Sequence, residues 1–272
     1  MPSLQPDAIR LYYELHGPAA ADERPPPLIL VAGLASHSQS WVPVLPTLAA
    51  ERQVLIFDNR GCGRSQTLDA PNSIGHMASD CLALADHLGL ERFDLLGHSM
   101  GGFIALEVAR QAPQRLSHLV LSNSGATQSA RNQRLFEDWA DELDAGQDPK
   151  RWFRNFFYWI FTEHFFEDPQ TLNGLLELVL NDPYAQTPAG FRAQVAAMRG
   201  FDARNWLHKI ETQTLILASA EDLLFPPRND AAGLSGLPNA EYRAVPALAH
   251  SLPLEGAAEF TGAVLRFLDR SA

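Results

Sequence analysis

Cysteine is nearly absent from this chain. Cys62 and Cys81 are its only two, one in a glycine-bearing turn and one in a predicted helix, and neither has the spacing of a metal knuckle or a redox pair. A reduced, cytoplasmic protein fits that usage. Basic charge is also short: 21 Lys and Arg stand against 32 Asp and Glu, a formal net charge of -11, without the basic patch that nucleic acid or an anionic membrane surface requires. No uninterrupted apolar run reaches the roughly 18 residues of a membrane span. The opening Met-Pro-Ser-Leu-Gln-Pro-Asp lacks the basic and apolar segments of a signal peptide. His-Glu-x-x-His and similar metal-ligand spacings are missing, so no metal site is expected, and there is no internal repeat or low-complexity tract.

What is present suits one α/β domain carrying an insertion. The chain has 272 residues, 46% apolar and 19% charged, enough to bury a sizeable core. Residues 9–16 alternate like a half-exposed strand, and short apolar runs at 28–31, 54–57, 93–96, 116–122, 214–218 and 241–245 read as buried or edge strands. Helical patterns at 41–50, 77–88, from Met100 onward, at 227–234 and at 255–268 alternate with them. That rhythm predicts an α/β fold: a mostly parallel twisted sheet of about eight strands with helices on both faces. Between 126 and 210 the rhythm breaks into helix-like segments at 131–143, 150–163, 169–180 and 188–199, with Pro149, Pro169, Pro183 and Pro188 as breakers. The expected organisation is therefore a core of 1–125 and 211–272 with an inserted helical cap at 126–210.

The chain is organised around Gly97-His98-Ser99-Met100-Gly101, which lies between the strand pattern at 93–96 and a helix carrying Phe103, Ile104, Leu106, Val108 and Ala109. A serine at the apex of such a turn sits in strained backbone geometry, and small residues two before and two after let neighbouring backbone pass close by. The helix starting near Met100 points free N–H groups and a positive dipole end at it. Alone, the pentapeptide is a weak signal; its placement between strand and helix strengthens it.

Two further groups follow strand ends, where parallel sheets open a crevice. Asp222 follows the strand at 214–218, and His250 follows the strand at 241–245. The order Ser, Asp, His suits a nucleophile, an orienting carboxylate and a general base. Glu221 competes with Asp222 for the acid, and motif position favours Asp222. His98 is expected to pack beside the nucleophile, while His37, His76, His87, His118, His164 and His208 have no partner pattern. The glycine loop at 61–63 is followed by Gln66 where a dinucleotide fingerprint needs its third glycine, so that reading fails and no cofactor is expected.

With these motifs in place, together with Asp58-Asn59-Arg60-Gly61-Cys62-Gly63-Arg64-Ser65, Pro226 after Asp222 and Ala249-His250-Ser251, the chain resembles the α/β-hydrolase fold family. The likeness is to its helical-capped branch of carboxylesterases, enol-lactonases and carbon–carbon bond hydrolases. It implies an oxyanion hole from the backbone N–H groups of Leu34 and Met100. The chain departs from the family pattern at Ala32, where a His-Gly pair is usual, and at Ser219 and Ala249, where glycines are usual.

The expected activity is a serine hydrolase cleaving a small, largely apolar carboxylic ester or lactone through a Ser99 acyl-enzyme. A carbon–carbon hydrolase or acyltransferase on the same triad, and a small-molecule sensor with a slow or vestigial triad, are the alternatives on this scaffold. The partner expected is a small-molecule substrate, with no nucleic acid and no membrane span, and the chain is expected to be a monomer or homodimer. The aromatic stretch at 151–161 offers two faces, and one set is expected to roof an apolar pocket. Trp152, Phe156 and Trp159 are the substrate-binding candidates, against Phe153, Phe157, Ile160 and Phe161 on the other face.

Overall fold

The computed structural model describes residues 3–4, 9–20, 25–66, 72–227 and 233–271. Its strands are β1 (Ser3–Leu4), β2 (Leu11–His16), β3 (Leu28–Val31), β4 (Val54–Phe57), β5 (Phe93–His98), β6 (Leu116–Ser122), β7 (Thr214–Ser219) and β8 (Ala240–Val245). They form an eight-stranded sheet in the order β1-β2-β4-β3-β5-β6-β7-β8. β1 and β2 are antiparallel additions at one edge, and every pairing from β4 to β8 is parallel.

Alternation along the strands explains why helices cover both faces. Ile29 and Val31, Leu55 and Phe57, Leu95, and Leu119 and Leu121 point into one apolar core, shared with helices α2 (Ile74–His87) and α3 (Met100–Gln111). Leu28 and Leu30, Val54 and Ile56, Leu96, Val120, and Leu215 and Leu217 point into the other. Trp41, Val44, helix α1 (Leu45–Leu48) and the C-terminal helix cover that second face. A two-residue period with both sets apolar requires cover on each side.

Between β6 and β7 the chain forms α4 (Ala130–Asp144), α5 (Pro149–Ile160), α6 (Glu163–Glu167), α7 (Pro169–Leu180) and α8 (Pro188–Met198). Asp148, Asp168 and Thr187 accept backbone N–H bonds as N-caps, each with a proline directly after it. Pro149, Pro169 and Pro188 thus begin helices at the position where a missing N–H costs nothing. They do more than separate segments.

Three expected helices are shorter or divided. The expected 41–50 helix is a 3-10 turn at Ser38–Trp41 followed by α1, because Pro43 and Pro46 cannot occupy a helix interior. The segment at 150–163 ends at Ile160: Phe161 is extended and Thr162 caps α6. The expected 255–268 helix begins at Ala257 as α10 (Ala257–Leu268), with Gly256 separating it from a short α9 (Leu252–Glu255). Residues 228–232 of the expected 227–234 helix lie outside the described residues.

Candidate active site

Ser99 occupies the turn between β5 and α3 with φ 55° and ψ -121°, a left-handed conformation that costs a non-glycine residue about 1–3 kcal/mol. Crowding holds it there. A Cβ on Gly97 would stand 2.2 Å from the Gly101 carbonyl oxygen, and one on Gly101 would stand 2.0 Å from that of Val31. Strand, turn and helix backbones therefore touch, and only glycine fits at either place. The Ser99 N–H donates to the Ser122 carbonyl at 3.0 Å, and the Ser124 hydroxyl donates to the Ser99 carbonyl at 2.8 Å.

The loop after β3 runs past the serine. A Cβ on Gly33 would lie 3.5 Å from Ser99 Oγ, so the backbone at Gly33 passes close to the hydroxyl. Met100 opens α3, and its N–H is among those a helix start leaves without an internal acceptor. Ala32, where the family pattern has a histidine, is held by another route: Asn59 Nδ2 donates to the Ala32 carbonyl at 3.0 Å.

Asp222 and His250 converge from neighbouring strand ends. His250 Nδ1 stands 2.9 Å from Asp222 Oδ2, with both residues buried. Asp222 Oδ1 accepts the N–H groups of Leu224 at 2.8 Å and Phe225 at 2.9 Å, and Oδ2 also accepts Asn123 Nδ2 at 2.9 Å. Burial pushes the Asp222 pKa up, but the His250 ring and these donors outweigh it and hold the carboxyl below its ordinary 3.8. It is ionised at neutral pH. Glu221, the competing acid, is exposed to solvent.

Because Nδ1 faces a carboxylate, it carries the ring's proton and leaves Nε2 as the basic nitrogen. The imidazole is fixed between two rings, with His98 at 5.0 Å and Phe225 stacked at 5.9 Å between centroids. Among the described residues its side-chain hydrogen bond is to Asp222, and none joins it to Ser99 Oγ. Burial and the neighbouring His250 hold the His98 pKa down to about 3, so His98 is a neutral spacer at pH 7.

The end of α5 is tied to the histidine loop. The Ser251 N–H donates to the Ile160 carbonyl at 2.9 Å, and Glu255 Oε1 accepts both the Thr162 N–H at 3.0 Å and its hydroxyl at 2.8 Å. The candidate pocket aromatics divide accordingly. Trp152 and Phe156 stack at 5.3 Å and pack with Trp139 of α4, as does Trp159, while Trp152 also meets Phe191 of α8. Phe157, Phe161 and Phe165 form a second group leading to the tie at Ser251, joined to the first through Phe153.

Sequence reasoning missed Asn123 as the partner of Asp222. Its place directly after β6 was the available signal. It also missed Glu255 and Asn59, whose roles depend on contacts across 93 and 27 residues of chain.

A family model described as the alpha/beta hydrolase fold matches residues 26–257. The chain belongs to that family. One relative, "Putative carbamate hydrolase RutD" of Caulobacter sp. (strain K31), is 31% identical over 271 residues, covering 96% of this chain and 97% of its own. A solved hydrolase from Pseudomonas aeruginosa PA01 is 27% identical with a TM-score of 0.86, over 98% of this chain and 97% of its own. A thermophilic esterase from Thermogutta terrifontis is 25% identical with a TM-score of 0.85, over the same shares of the two chains. The protein is a hydrolase of this fold. No helix among the described residues is long and apolar enough to cross a membrane.

Proposed function

We propose that this hydrolase cleaves a small, largely apolar carboxylic ester or lactone through an acyl-enzyme on Ser99. The observation that carries the reading is the buried Asp222–His250 hydrogen bond beside a serine held at positive φ. His250 Nε2 takes the hydroxyl proton as Oγ bonds to the ester carbonyl carbon, and the electron pair of the C=O moves onto oxygen. The N–H groups of Leu34 and Met100 stabilise that oxyanion. As the C–O bond to the alcohol breaks, His250 returns the proton to the leaving oxygen. Water, deprotonated by the same nitrogen, then attacks the acyl-enzyme and releases acid and Ser99. Asp222 stays ionised, fixing the tautomer and stabilising the imidazolium. The hydrogen bond from the Ser99 hydroxyl to His250 Nε2 forms with substrate present, as such contacts commonly tighten on binding.

A second reading has support from the relatives' name. A carbamate presents the same carbonyl to Ser99 and differs in the nitrogen on its acyl side. Steady-state hydrolysis of a matched panel of 4-nitrophenyl esters, lactones and carbamates separates the two. The ester reading expects kcat/KM highest for short apolar esters or lactones. Highest values for carbamates would replace it with the second reading, and turnover undiminished in Ser99→Ala would remove both.

A further inference from the structure

A closed ring of hydrogen bonds joins the end of α5 to the loop that carries His250. The Ser251 N–H donates to the Ile160 carbonyl at 2.9 Å, and the Ser251 carbonyl accepts the Glu255 N–H at 3.0 Å. From Glu255 the ring returns to the cap, because Oε1 accepts the Thr162 N–H at 3.0 Å and the Thr162 hydroxyl at 2.8 Å. The other oxygen, Oε2, accepts the Ala249 N–H in a longer bond of 3.4 Å. Both backbone neighbours of His250 are thus held by groups that Thr162 and Glu255 connect. Ile160 and Thr162 are buried, where a hydrogen bond to a carboxylate or carbonyl is stronger than in water.

His250 depends on such a hold more than its acid does. Asp222 accepts the Leu224 and Phe225 N–H groups and the Asn123 amide besides the imidazole. The imidazole is bonded through Nδ1 to Asp222 and, among the described residues, has no bond from Nε2 to Ser99 Oγ. Apart from that bond and the flanking rings of His98 and Phe225, the direction of Nε2 is set by the backbone at 249–251. A displacement of about 1 Å at a group that must move a proton can cost about 10²-fold in rate.

We propose that Thr162 and Glu255 are positioning residues for His250: through them the cap fixes the backbone on either side of the imidazole so that Nε2 meets the Ser99 hydroxyl. Neither side chain takes part in the proton transfer itself. The assignment rests on the acyl-enzyme reading, in which His250 is the base for Ser99, and it makes the cap part of the alignment of the triad as well as a cover.

Three variants test it. Glu255→Gln keeps an oxygen for Thr162 and sets an NH2 group against the Ala249 N–H, Thr162→Val keeps the shape and the N–H without the hydroxyl, and Thr162→Ser restores a hydroxyl. On 4-nitrophenyl acetate, kcat is expected to fall about ten-fold in Glu255→Gln and Thr162→Val, with KM within about two-fold of wild type, and to recover to within about two-fold in Thr162→Ser. Inactivation by a small fluorophosphonate, which loads Ser99 through the same base with little use of the cap, is expected to slow by the same factor. The two damaging variants act on opposite sides of the tie, so either suffices if the other does not fold. A tie that only held the cap in place would lower the melting temperature and raise KM for bulky esters, with kcat on the acetate and the inactivation rate as in wild type. That result would overturn the proposal, as would a loss in Thr162→Ser equal to that in Thr162→Val. Failure of the acyl-enzyme reading appears separately, as turnover undiminished in Ser99→Ala.

Discussion

At the scale of single residues, the decisive contrast is between two adjacent carboxylates. Asp222 is buried under four donors, while Glu221 points to water. Asp222→Asn places an amide where a carboxylate met Nδ1–H, which favours the wrong imidazole tautomer, and kcat is expected to fall about 10⁴-fold. Glu221→Gln should change kcat by less than about two-fold, because an exposed charge contributes little. Steady-state kinetics on one activated ester check both; the opposite ranking would mean that His250 answers to another acid. Asn123, whose amide shares Oδ2 with His250, explains how the carboxylate keeps its orientation even though this strand end carries no second acid.

Elements carry the next level of the argument. Gly97 and Gly101 let β3, β5 and α3 cross in contact, and a methyl group on Gly101 would overlap the Val31 carbonyl. Gly101→Ala is therefore expected to cost about 2–3 kcal/mol or shift the elbow, lowering both the melting temperature and kcat. A variant as stable and active as wild type would show that the crossing tolerates a side chain. In α5 and the Phe161 that follows it, the two aromatic sets differ in their neighbours. Alanine at Trp152 opens a hole against Trp139 and Phe191, and should cost about 3–5 kcal/mol without altering preference between short and bulky esters. Alanine at Phe157 or Phe161, in the group joined to the His250 loop through Ile160 and Ser251, should shift the kcat/KM ratio between those esters. Identical effects from both sets on both measurements would contradict this division.

Over the whole molecule, what was legible in advance was what repeats locally. Apolar runs bounded by turns marked the strands, and a serine between strand and helix patterns, with an acid and a histidine after later strands, marked the candidate site residues. Contacts between distant segments left no periodic trace. Glu255 bridging Thr162, Asn59 gripping Ala32 and Gln194 meeting Arg60 arise only when the sheet order brings separate loops together. Helix ends were misjudged where one residue changes role: Thr162 caps α6 instead of continuing α5, and Gly256 separates α9 from α10. The aromatic stretch at 151–161 announced two faces but not which neighbour each would meet, because that depends on how α4 and α8 fold back over α5.

The account's central claim is that Ser99 Oγ is the atom that becomes acylated. Intact-protein mass spectrometry after treatment with a fluorophosphonate, followed by peptide mapping, tests it most directly. Wild type is expected to gain one adduct on the peptide containing Ser99, with labelling slowed about 10⁴-fold in Asp222→Asn and absent in Ser99→Ala. An adduct on any other residue, or labelling of Ser99→Ala at the wild-type rate, would contradict it.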